Sequence, residues 1–161
     1  KGYQMKLMAI FLLIGIAAYF SGCSCNCTKK YEKQLSQNEA MHLTPKVKYP
    51  DDETVIFMLE AERVKKVGDE YMPSSEDFRV EIMSEKMKVL WSSNYNKNYM
   101  MVVGDVLPRE KGEKHLYKME YNGETNSGAK ISPGTYTAYL SIPSKPSPYV
   151  RQVEFTWGKE K

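Results

Sequence analysis

The sequence predicts an all-β fold, an Ig-like β-sandwich of about seven strands, over residues 53–161. Three observations point there. Short runs rich in β-branched and aromatic residues recur, several alternate apolar and polar residues with period two, and clusters of Gly, Pro, Asn and Ser separate them. With 161 residues the chain has room for one such domain behind a targeting region, not for two.

The first expected strand, Thr54 to Lys65, puts Val55, Phe57, Leu59 and Ala61 on one face and ends before the turn-rich stretch Gly68 to Glu76. The second, Phe78 to Met83, alternates Phe78, Val80 and Ile82 with Arg79 and Glu81. Ser84-Glu85-Lys86 then makes a tight connection to the third, Lys88 to Ser93, which carries Val89 and Trp91, so these two form a hairpin. The fourth expectation is Tyr99 to Leu107. Its unbroken apolar run Tyr99-Met100-Met101-Val102-Val103 suits a central strand covered on both faces, and Pro108 ends it. The fifth strand, His115 to Tyr121, alternates Tyr117, Met119 and Tyr121 with Lys118 and Glu120, and Asn122-Gly123 supplies the turn. Pro133-Gly134 introduces the sixth, Thr135 to Ile142. A proline-rich loop, Pro143 to Pro148, leads to the last, Val150 to Trp157, where Val153, Phe155 and Trp157 share a face. Seven strands of this kind suit an Ig-like sandwich.

The N-terminus has a different character. Lys1 and Lys6 precede an uncharged apolar run, Leu7 to Phe20, followed by the small residues Ser21 and Gly22. That is signal-peptide order over residues 1–22. The run is about 14 residues, short of the roughly 20 that cross a bilayer; an uncleaved membrane anchor is the competing reading. Phe20-Ser21-Gly22-Cys23 resembles the lipobox of bacterial lipoproteins, with Phe20 where Leu is usual. The resemblance implies that Phe20, Ser21 and Gly22 are read by the signal peptidase. It also implies that the Cys23 thiol receives a diacylglyceryl group and becomes the first mature residue, with membrane lipid as its partner. Each buried CH₂ contributes about 0.8 kcal/mol, so two or more acyl chains anchor stably. Ser24 is not the aspartate associated with inner-membrane retention in enteric lipoproteins. The implied location is therefore the extracytoplasmic side of the cell envelope, on the outer membrane where the host has one.

Residues 23–52 are polar and lysine-rich, are broken by Pro45 and Pro50, and read as a flexible tether. Lys29, Lys30 and Lys33 either attract anionic headgroups, at about 1 kcal/mol each, or form a solvated linker. All three cysteines, Cys23, Cys25 and Cys27, fall in this segment, so no disulfide framework holds the domain. A zinc site needs four ligands, and the two histidines, His42 and His115, lie far away in sequence; no metal and no cofactor is expected.

The net charge of +3, from 23 basic and 20 acidic residues, is too balanced to argue for nucleic acid. No G-x-S-x-G, P-loop or H-E-x-x-H is present, and His42 and His115 read as surface residues, so no enzyme is expected. Asp51-Asp52-Glu53 lacks the alternating oxygen ligands of a calcium loop and reads as a solvated charge run.

Three segments carry a further resemblance: Val89-Leu90-Trp91-Ser92-Ser93, then Gly112-Glu113, then Gly128-Ala129-Lys130-Ile131-Ser132-Pro133-Gly134-Thr135-Tyr136. Their order resembles intracellular proteinase inhibitor (BsuPI-type) domains over approximately Asp77 to Ile142. The resemblance implies an Ig-like fold and, as an alternative function, an envelope protease inhibitor. Tyr121-Asn122-Gly123 stands where that family has Trp-Asp-Gly, and no proline adjoins Gly112-Glu113. No residue is therefore assigned as an inhibitory contact. The leading expectation is a lipid-anchored, non-enzymatic domain that binds another protein or supports an envelope assembly. Trp91, Tyr95 and Tyr99, with Pro146 and Tyr149 of the proline loop, are the candidate partner-binding residues. Met100 follows in the same region; for it and for Trp91, Tyr95 and Tyr99 a place in the core competes with that role, and for Pro146 and Tyr149 a rigid inter-sheet connection competes equally.

Overall fold

A computed structural model describes residues 40–158, and these fold as a seven-stranded all-β sandwich. The strands are β1 (Met41–Lys48), β2 (Val55–Arg63), β3 (Arg79–Met83), β4 (Val89–Ser92), β5 (Lys114–Tyr121), β6 (Gly134–Ile142) and β7 (Tyr149–Trp157). Two antiparallel sheets form, in the orders β1-β2-β5 and β4-β3-β6-β7. Hairpins join β1 to β2, β3 to β4 and β6 to β7, and the other three connections cross between sheets, as in Ig-like sandwiches. Among the described residues there is no helix.

The period-two faces meet between the sheets. Phe57, Leu59 and Ala61 of β2 face Val80 and Ile82 of β3 and Ala138, Leu140 and Ile142 of β6 across one core, all fully buried. Each such side chain contributes about 1.5–3 kcal/mol through removal from water, alanine less. Aromatic rings fill one end of this core. Phe57 meets Phe155 edge to face at 4.9 Å, and Tyr121 is flanked by Trp91 at 4.9 Å and Trp157 at 5.7 Å. The Tyr121 hydroxyl is buried there without a hydrogen-bond partner among the described residues, and burial holds its pKa above the usual phenol range.

Two expectations are corrected. The segment Met41–Lys48 lies within the stretch read as a tether, yet it is strand β1, paired with β2 from Met41 opposite Arg63 to Lys48 opposite Ile56. Its alternation is short but real: Met41 and Leu43 are buried while His42 is exposed. Pro45 does not break it, because an edge strand needs ladder bonds on one side only. Conversely, Tyr99–Leu107 is not a strand. The run lies in the crossing from β4 to β5, and its backbone bonds go to Ser75 and Met72 of the 64–78 connection rather than to the free edge of either strand.

Candidate functional site

Strand direction divides the sandwich into two poles. Ala40, where the described chain enters, lies at the same pole as the connections 64–78, 93–113 and 143–148. The Val64 and Lys65 amides both donate to the Ala40 carbonyl, at 3.0 and 3.1 Å. The opposite pole carries the connections 49–54, 84–88 and 122–133.

The entry pole is built on a buried arginine. Arg63 closes β2 with its side chain fully out of water, and three backbone and side-chain acceptors receive it. Its Nε donates to the Pro108 carbonyl at 2.8 Å, Nη1 to the Tyr149 hydroxyl at 3.3 Å and Nη2 to the Val106 carbonyl at 3.4 Å. Glu70 supplies the countercharge through an ion pair with Nη2. The Tyr149 hydroxyl donates in turn to Glu70 Oε2 at 2.5 Å. Burial first, and then the Glu70 carboxylate that accepts its proton, push the Tyr149 phenol up to about 12. One guanidinium therefore ties together β2, the 64–78 connection, the 93–113 connection and the start of β7. A buried charge of this kind is tolerable because it is both paired and hydrogen-bonded.

On this base stands an apolar projection. Backbone bonds fix its two ends: Ser75 N to Met100 O at 3.0 Å, and Met72 and Gly104 exchanging two bonds at 2.8 and 3.0 Å. Between those clamps Met100 is 69% exposed, Met101 88%, Val102 46% and Val103 79%. Tyr71, also exposed, exchanges backbone bonds with Lys145 of the proline loop at 3.1 and 2.8 Å, so that loop is pinned beside it. Glu76, nearly buried, holds Arg79 through two bonds of 2.8 and 2.5 Å. Tyr99 is half-buried near this pair; burial, and then the Glu76 carboxylate, raise its pKa.

The candidate partner-binding residues separate accordingly. Tyr95 and Pro146 are exposed at the entry pole and Tyr99 is partly so. Trp91 packs against the core on Tyr121, and Tyr149 is buried with its hydroxyl committed to Arg63 and Glu70. Cys23 and the recognition residues Phe20, Ser21 and Gly22 lie outside the described residues. The exposed residues that sequence reasoning missed are Met101 to Val103 and Tyr71. A continuous apolar run fits a doubly covered strand and a projecting loop equally well by periodicity; the one contrary signal is its setting, an Asn-rich approach and Gly104 immediately after.

Among the described residues no group of three or more His, Cys, Asp or Glu side chains is placed to hold a metal ion. His42 is exposed, and the His115 ring stands edge-on to Tyr117 at 4.5 Å. At the opposite pole an open cleft of about 590 Å³ is lined by Tyr49, Asp51, Asp52, Thr156 and Trp157. There the Thr156 amide donates to the Tyr49 hydroxyl at 3.1 Å, and the Glu53 amide to Asp51 Oδ1 at 2.9 Å.

No family model matches the chain, and no curated protein matches it. Among solved structures, β-glucosidase 3B from Thermotoga neapolitana is similar over 75% of this chain, at 16% identity and a TM-score of 0.44. A β-glucosidase from Kluyveromyces marxianus is similar over 73%, at 13% identity and a TM-score of 0.36. The chain spans 16% and 15% of those two proteins' lengths.

Proposed function

We propose that this chain is a bacterial lipoprotein, anchored through an acylated Cys23, whose Ig-like domain is a non-enzymatic binding or structural module of the cell envelope. The observation that carries the reading is Phe20-Ser21-Gly22-Cys23 placed directly after a charged start and a short apolar run. What the domain offers beyond the anchor is surface: an apolar projection with tyrosines beside it at the entry pole. Intact mass spectrometry of the membrane-extracted protein tests the anchor. A species that begins at Cys23 and carries acyl mass is expected; a mass that retains the preceding residues without acyl addition overturns the reading. Crosslinking in the same membranes identifies the neighbours of the domain.

A second reading, an envelope protease inhibitor, is favoured by the segment Gly128 to Tyr136, with its turn glycine at positive φ and Pro133-Gly134 entering a strand. Purified protein that leaves a broad panel of serine proteases uninhibited at micromolar concentration removes it.

A further inference from the structure

We propose that the Met100–Val103 projection is a second membrane contact, inserting into the bilayer that holds Cys23; the inference rests on the lipoprotein reading above. Its first support is placement. The described chain enters at Ala40, at the same pole as the connection that carries Met100 to Val103. About 17 residues separate those two positions. At coil dimensions such a length spans about 23 Å. The nine-residue strands run about 30 Å at roughly 3.3 Å per residue. With a connection of that number of residues ending at Ala40, the entry pole reaches the bilayer surface more readily than the far one.

Chemistry is the second support. From Asn98 to Gly104 the chain carries no charge, and its four central side chains are apolar and open to solvent. Exposed aliphatic and thioether groups clamped at both ends enter hydrocarbon without unfolding their base. Tyr71 and Tyr95, exposed at the same pole, are of the type that settles at the headgroup level. The pole's charges are of both signs, with Lys66 paired to Glu110 and Arg109 to Asp105. Insertion is therefore driven by apolar burial and does not require anionic lipid. Two linked contacts raise the effective concentration of the second, so a loop of modest intrinsic affinity stays engaged once the anchor is in place.

The test uses the full chain, extracted from membranes and reconstituted into phosphatidylcholine vesicles with or without bromine on the acyl chains. M101W places a reporter at the most exposed position of the projection, and K86W places one in the β3–β4 turn at the opposite pole. The emission each adds over the unsubstituted chain is compared. Brominated lipid is expected to at least halve the M101W signal and to leave the K86W signal unchanged, with no dependence on salt. An unquenched M101W overturns the proposal and leaves the projection for a protein partner; equal quenching of both overturns the oriented contact. Intact mass of the same sample separates this result from the anchor. An acylated chain with unquenched M101W sinks the loop alone. An unprocessed chain, still held on vesicles by its apolar N-terminal run, sinks the lipid anchor while the quenching continues to decide the loop.

Discussion

Two tyrosines show how differently one hydroxyl behaves when buried with and without a partner. Tyr149 donates to Glu70 and receives Arg63, whereas the Tyr121 hydroxyl is buried with no partner among the described residues. Removing an unsatisfied polar atom relieves a desolvation penalty, while removing a bonded one strands its neighbours. Y121F is expected to be neutral or to stabilise by up to about 1 kcal/mol, and Y149F to destabilise by about 1–2 kcal/mol, both read from urea midpoints at pH 7. A Y121F loss larger than the Y149F loss contradicts the assignment. Glu70 matters more than either, since without it the Arg63 guanidinium remains buried with only neutral acceptors. E70A is expected to cost about 3–5 kcal/mol, the range for breaking a buried pair from one side. None of this network was legible in the sequence: Arg63 and Glu70 are ordinary charged residues at the margin of a strand and in a turn-rich stretch, and folding alone sets them against Tyr149.

At the scale of elements, the strands with clear alternation, β2, β3, β5, β6 and β7, were legible because a half-buried strand imprints its period on the sequence. β4 was legible through the tight turn before it, which made a hairpin the short solution. β1 was not, since Pro45 and the lysines around it masked a pattern that an edge position tolerates. The run Tyr99 to Val103 failed in the opposite sense: its hydrophobicity was visible, but whether any strand would lie beside it depends on topology. The projecting pole was therefore hidden by the very apolarity that makes it notable. β1 is part of the folding unit, because Met41 and Leu43 bury against the core and the strand covers the outer edge of β2. A chain beginning at Ala40 is expected to melt cooperatively. One beginning at Asp51 loses that strand and is expected to lose the cooperative transition in circular dichroism; equal melting of the two would show β1 to be dispensable.

For the whole molecule, buried phenols couple stability to alkaline pH. An unfolded tyrosine ionises near pH 10, whereas burial holds Tyr117, Tyr121 and Tyr149 protonated to higher pH, the last to about 12. Between those values the unfolded chain has released protons that the folded chain still binds. The derivative of unfolding free energy with respect to pH is then negative. The contribution from each raised phenol is complete below about pH 10 and is lost as pH climbs through the folded pKa. Ionising Tyr149 also removes the hydrogen bond it donates to Glu70 and sets two negative oxygens against each other beneath the entry pole. Urea midpoints measured at pH 8, 10 and 11 are expected to fall across the upper interval, and the fall should be shallower in Y149F, which lacks one of the raised phenols. A wild-type midpoint that holds steady from pH 10 to 11, or a Y149F slope as steep as the wild-type one, would show that these hydroxyls stay in contact with water in the folded state.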